Sequence, residues 1–285
     1  MSVKLKEISL RGFCLAASGL SVLAIALICG FLFAEGSPAI ARIGLLPFLA
    51  GTTWQPSAGS FGILPMICAT GAVTGVALLT GFPAGVLFAV YLAYECPKKL
   101  FPFLQGALLL MAGIPSVIYG LFGLTTLVPL IRQLFGGHGL SLLAAGLLLG
   151  FMILPTIASV SLTSLKAVDE DVYRGSRALG SSHERTIFHA VLPAARRGIL
   201  AGLVLGIGRA AGETMAVMMV AGNQAVMPSG LLEGVRTLTA NIALEMGYAA
   251  GLQREALIAT GVVLLVLILV LNLLLALSER KEKAA

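Results

Sequence analysis

The chain has 285 residues, 58% of them hydrophobic and only 11% charged, and its apolar residues fall in long blocks rather than alternating with polar ones. That excludes an ordinary globular enzyme. A formal net charge of +6 fits nucleic-acid binding by sign alone, but the basic residues sit in short segments between apolar blocks and read as topology signals.

A helix needs about 20 apolar residues to cross the hydrocarbon core. On that criterion the chain is an all-α, polytopic membrane protein with about six transmembrane helices. The first, over residues 12–33, follows a basic start but is too long for a signal-peptide core and lacks a small-x-small site after it, so it is expected to be retained. Residues 35–60, rich in Gly, Pro, Ser and Thr, form an outer loop whose Thr53-Trp54-Gln55-Pro56 places an indole at the interface. The second and third spans, 61–93 and 101–128, exceed the needed length and contain Gly81-Phe82-Pro83 and Gly113-Ile114-Pro115, which predict tilt, a kink or an extension beyond the membrane. A fourth span covers 141–165.

The segment 166–197 is the most informative connector. Asp169, Glu170 and Asp171 place negative charge at a helix start and Gly180 supplies a left-handed stop, predicting a helix over 170–179. Ser181 and Glu184 have the spacing of a capping box and Pro193 ends the run, predicting a second helix over 182–191. This basic hairpin has two physical readings, an element facing anionic lipid or a docking surface for a cytoplasmic protein. The fifth span covers 198–222, a polar segment with helical potential follows within 223–255, and the last span covers 256–277.

Lys and Arg set the orientation, because cytoplasmic loops retain positive charge. Lys4, Lys6, Arg11, Lys98, Lys99, Lys166, Arg174, Arg177, Arg185, Arg196, Arg197, Arg280, Lys281 and Lys283 fall on one side, against Arg42, Arg132, Arg236 and Arg254 on the other. Both termini are therefore expected in the cytoplasm. Cys14, Cys29, Cys68 and Cys96 show no metal-ligand spacing, His183 and His189 are off the spacing for two ligands on one helix, and no metal site is expected. No Lys follows a Gly, so the phosphate-cradling G-x-x-x-x-G-K-[ST] loop is missing and the chain cannot be an ATPase.

Gly180, Leu192 and Pro193 match the spacing of the cytoplasmic-loop pattern of binding-protein-dependent ABC importer permeases, although Arg174 and Gly175 stand where that family has Glu and Ala. Thr53-Trp54-Gln55-Pro56, Ile114-Pro115-Ser116-Val117-Ile118-Tyr119-Gly120, Gly212-Glu213-Thr214-Met215-Ala216-Val217-Met218 and Arg236-Thr237-Leu238-Thr239-Ala240-Asn241-Ile242 resemble, in order, the PstC family of phosphate-importer permeases. The resemblance implies a type I ABC importer fold, with residues 1–60 as N-terminal helix and outer loop and 61–285 as the permease core carrying coupling loop 166–197. It further implies a PstA-like permease partner, a PstB-like ATPase dimer that binds the ATP, and a PstS-like phosphate-binding protein, with no cofactor in this chain and a bacterial inner-membrane location. The ATPase would dock through Tyr173, Arg174, Gly175, Ser176, Arg177, Ala178, Leu179 and Gly180.

Arg209 and Glu213 lie inside the fifth apolar block, where each charge costs roughly 2.5 to 3.5 kcal/mol on insertion scales. At i and i+4 on one helix face they would pair, but such pairs contribute only about 0.2 to 0.5 kcal/mol in water. The functional reading is a hydrated path in which Arg209 offers a planar fork of donors to an oxyanion and Glu213 holds that charge when the path is empty. Thr214 adjoins them. Arg236, Thr237 and Asn241, with Thr239 and Glu245, form either an outer gate or binding-protein contact, or a solvated loop. Gly202, Gly206, Gly208 and Gly212 give G-x-x-x-G spacings that suit either a subunit interface or packing within the chain. Two other functions are open to these residues: a permease for another oxyanion or small solute in the same machinery, and a stand-alone proton-coupled transporter in which Glu213 titrates.

Overall fold

The computed structural model describes residues 2–281, with side chains over 11–273. Lys4, Lys6, Arg280, Lys281 and Lys283, which carry part of the charge asymmetry, lie outside the residues whose side chains are described. Apart from connectors and one small hairpin, the described chain is helical, and six helices are long and apolar enough to cross a membrane: 11–43, 64–95, 116–135, 142–166, 183–212 and 251–273.

Helix α1 (Ser2–Ile43) runs on through Glu35-Gly36-Ser37-Pro38, which composition alone assigns to a loop. Packing overrides propensity there, because Gly36 lies so close to the final helix that an added Cβ would stand 3.0 Å from the Ala259 Cα. Earlier in α1, Phe13, Leu20, Ile25 and Phe31 are exposed, the pattern of a lipid-facing helix. After α2 (Leu45–Ala50), strands β1 (Trp54–Gln55) and β2 (Ser60–Phe61) pair antiparallel with Trp54 opposite Phe61. The outer loop is thus an ordered hairpin. Its base requires Gly51 and Gly62, since a Cβ on Gly62 would lie 2.3 Å from the Gly51 carbonyl carbon.

Helix α3 (Leu64–Val90) keeps Pro83 inside it and ends in a π-turn, Tyr91–Glu95. The third predicted span divides at Pro115, which lacks an N–H and holds Ile114 extended at ψ 127°. On one side lies α4 (Phe101–Gly113); on the other α5 (Ser116–Phe122), a π-turn (Gly123–Leu127) and α6 (Val128–Phe135) make the crossing. The Tyr119 hydroxyl donates to the Met111 carbonyl across the break at 2.8 Å. Helix α7 (Leu142–Lys166), capped by the Ser141 hydroxyl, is the central pillar and packs along α3.

Helix α8 (Glu170–Ala178) and α9 (His183–Thr186) form the hairpin of segment 166–197. The second helix begins from a different cap than expected, because the hydroxyl of Ser182, not Ser181, accepts the Arg185 N–H. Nor does Pro193 end it. A π-turn, Ile187–Val191, carries α9 directly into α10 (Leu192–Gly212), where the ring occupies the first turn and needs no N–H. Short helices α11 (Met215–Val220) and α12 (Leu238–Glu245) precede the long α13 (Gly251–Lys281). Three apolar clusters hold the fold: one in the middle of the bundle around Val73, Leu149 and Val217, one around Leu162, Ile187 and Val191, and one under the hairpin around Phe48, Met66 and Leu257.

Candidate functional site

The fifth apolar block is not one helix. α10 stops at Gly212, Glu213 is extended (φ −70°, ψ 131°), and α11 starts two residues later. Arg209 and Glu213 therefore do not share a helix face. Arg209 sits in the last turn of α10, where the macrodipole favours a cation, and Glu213 sits at the start of α11, where it favours an anion. The Glu213 Oε1 accepts the Thr214 and Ala216 N–H groups at 3.1 and 3.2 Å, satisfying donors that the break would otherwise orphan. Arg209 donates from one guanidinium nitrogen to the Thr156 hydroxyl of α7 at 3.3 Å, and among the described residues it pairs with no carboxylate. The residues predicted to neutralise each other spend their charge differently. Glu213 closes a helix end; Arg209 keeps most of its donor fork.

The break is also held by the segment that leads into α12. The Thr239 hydroxyl donates to the Glu213 carbonyl at 2.8 Å, Thr237 caps α12 by accepting the Ala240 N–H, and the Leu238 N–H donates to the Thr70 hydroxyl of α3. Arg236 belongs to a buried network. Its Nε donates to the Asn223 carbonyl at 2.9 Å, and one terminal nitrogen donates to the Asn241 Oδ1 at 3.1 Å and the Glu245 Oε1 at 2.8 Å. The other Glu245 oxygen accepts the Trp54 indole N–H and the Gln253 amide, each at 2.9 Å. With Arg236 and Glu245 side chains only 19% and 10% exposed, the solvated-loop reading of this segment fails. Trp54 lies under the surface as a donor to that carboxylate rather than at an interface. Residues 54 and 245 share no sequence pattern, so this pairing had no signal in the sequence.

Of the small-residue spacings, Gly202 and Gly206 serve packing within the chain, against Val160 and Ile157 of α7. Gly208 and Gly212 have open space where a Cβ would stand, and the nearby Leu205 is 54% exposed, which leaves this stripe of α10 uncovered by its own chain.

At the cytoplasmic loop, α8 has no buried residue. Asp169 caps it, accepting the Asp171 N–H at 3.0 Å, and Gly180 ends the hairpin turn with φ +87°. Arg174 pairs with Glu170 at 2.9 Å and Arg177 donates to the Ser181 carbonyl, so two of the basic side chains are engaged locally. Gly175 has open space around it, Ser176 hydrogen-bonds Thr186, and Leu179 is 90% exposed. His183 is the residue that spacing arguments missed. Read as an ordinary loop residue, it instead bridges Tyr173 and Glu95, with ring-nitrogen distances of 2.7 and 2.6 Å.

A helical bundle with six helices able to cross a membrane, one of them broken between two charged residues, and an exposed basic hairpin at the far end of that helix is the architecture of a membrane transport subunit. Residues 81–284 match the family described as binding-protein-dependent transport system inner membrane component. The chain belongs to that family, the multi-pass inner-membrane permease subunits of ABC importers, in which a separate subunit is the ATPase. It is 36% identical to a probable ABC transporter permease protein, YqgH, of Bacillus subtilis, over 98% of this chain and 93% of that one. It is 34% identical to the phosphate transport system permease protein PstC of Mesorhizobium japonicum (83% and 78% covered) and 33% identical to that of Pasteurella multocida (82% and 81%). Among solved structures, a chain of a bacterial alginate ABC transporter bound to its periplasmic protein shares the fold with TM-score 0.67 at 17% identity, covering 95% of both chains. The MetNI methionine ABC transporter in an inward-facing form gives 0.56 at 19%, covering 81% of this chain and 99% of that one.

Proposed function

We propose that the chain is the permease subunit of an ATP-driven inorganic phosphate importer and forms half of its translocation pathway. Phosphate as cargo is supported by the PstC relatives, which match most of the chain. The observation that carries the pathway reading is Arg209, a cation inside an apolar block whose only described partner is a neutral hydroxyl. A half-buried guanidinium with spare donors suits a tetrahedral oxyanion. Glu213 and Thr214 shape the break beside it, while Arg236, Thr237 and Asn241 frame the path from outside.

Both termini face the cytoplasm in this reading. A PstA-like permease would supply the second half of the pathway, a PstS-like protein would deliver phosphate to the outer face, and a PstB-like ATPase dimer would dock on residues Tyr173 to Gly180. Exposure of most of α8, where Tyr173 and Ser176 are half-buried, supports that docking role. Arg209→Gln should abolish ATP-driven phosphate uptake by the reconstituted complex while all subunits still copurify. Uptake at the wild-type rate would refute the assignment.

A further inference from the structure

Because α8 buries no residue, movement imposed on it reaches the bundle only through its chain ends and its side-chain contacts. Apart from the Ser176–Thr186 hydrogen bond and packing on the π-turn Ile187–Val191, those contacts converge on one point. The Tyr173 ring of α8 stacks on Tyr94 (centroids 6.0 Å apart, planes at 17°) and meets the His183 ring edge-on at 5.9 Å. The Tyr173 hydroxyl hydrogen-bonds the His183 Nδ1 at 2.7 Å, and the His183 Nε2 stands 2.6 Å from the Glu95 Oε1. A carboxylate only accepts, so Nε2–H donates to it. Tyr94 and Glu95 belong to the π-turn that ends α3, while His183 begins the continuous helix that leads to Arg209. Over those 26 residues a helix rises about 40 Å, so a tilt at His183 is felt at the charged break. A cleft lined by Ser164, Val168, Val172 and Ala195 lies between α8, α7 and α10, and the link through Tyr173 and His183 also reaches the end of α3.

We propose that Glu95 and His183 are positioning residues of the transport cycle: with Tyr173 they form a strut that makes α3 and the Arg209-bearing helix move together when α8 moves. The inference rests on α8 being the ATPase-docking helix, as proposed above. Stability is not the main contribution of the contact, since His183 and Glu95 are 32% and 51% exposed and pairs that open to water contribute little. Its role is geometric, linking α8, the start of α9 and the π-turn that ends α3.

The test uses the complete importer in proteoliposomes, with ATP hydrolysis and phosphate accumulation measured together and copurification of all subunits checked for each variant. His183→Ala and Glu95→Ala should each hydrolyse ATP within about twofold of wild type but move at least about fivefold less phosphate per ATP, and the double variant should fall no further than the worse single one, as expected for two residues acting through one contact. A wild-type ratio of phosphate to ATP in both single variants would overturn the strut. So would uptake and hydrolysis falling in proportion, or effects that multiply in the double variant. ATP-independent uptake by the wild-type complex would overturn the functional reading itself, and the strut with it, whereas an unchanged ratio beside ATP-driven wild-type uptake overturns the strut alone.

Discussion

Replacing Arg236 with Met keeps an unbranched, flexible side chain, shorter than the original, and removes the charge. The Glu245 carboxylate, 10% exposed, then keeps the Trp54 and Gln253 donors but loses its counter-ion, while Asn241, fully buried, loses the donor to its Oδ1. Breaking a buried pair from one side costs about 3 to 5 kcal/mol, and the two surviving donors put this case near 3, or roughly 100-fold in the folding equilibrium. Adding Glu245→Gln removes the stranded charge, and the Gln carbonyl can still accept the indole N–H. The double variant should therefore be more stable than Arg236→Met alone, by about 1 kcal/mol or more. Denaturation in mixed micelles, followed by tryptophan fluorescence, reads both, since Trp54 is the chain's only Trp and donates to this carboxylate. A double variant less stable than the single would refute the account of Arg236 as a counter-ion, and a single variant within about 0.5 kcal/mol of wild type would refute the network.

Glu213→Gln should keep the cap on α11, because an amide oxygen still accepts the Thr214 and Ala216 N–H groups, whereas Glu213→Ala should cost about 1 kcal/mol in the same denaturation assay. Gly180→Pro is incompatible with φ +87° and removes the N–H that bonds the Arg177 carbonyl at 3.0 Å, so the hairpin should unravel and the ATPase should be lost during purification; an intact complex would count against docking there. Gly62→Ala forces a Cβ onto the Gly51 backbone and should open the outer hairpin, seen as new protease cleavage near residues 51–62.

Much of the architecture was legible because membrane insertion depends on what a sequence displays openly, apolar length and charge placement. Six crossings follow from that, as does the helix 170–179, whose acidic start and glycine stop act locally. The failures share a cause. At Pro115 and Gly212 apolar content continues while the backbone breaks, and hydropathy does not register backbone direction. Glu35 to Pro38 looks like a loop until α13 packs on Gly36. At the site, residue types pointed to Arg209 and Glu213, but their arrangement depended on one backbone turn between them. The Trp54–Glu245 and Glu95–His183 contacts join residues 191 and 88 positions apart, beyond any local rule.

The Glu245 carboxylate also orders events in time. Its partners come from three stretches of chain, and Trp54 leaves the ribosome 191 residues before it, while Gln253 opens the last crossing. The indole must wait, without that acceptor, through the insertion of four intervening spans. The contacts of this hairpin are thus completed only when nearly the whole chain is made, and a product truncated after the fifth crossing lacks the acceptor for the Trp54 indole.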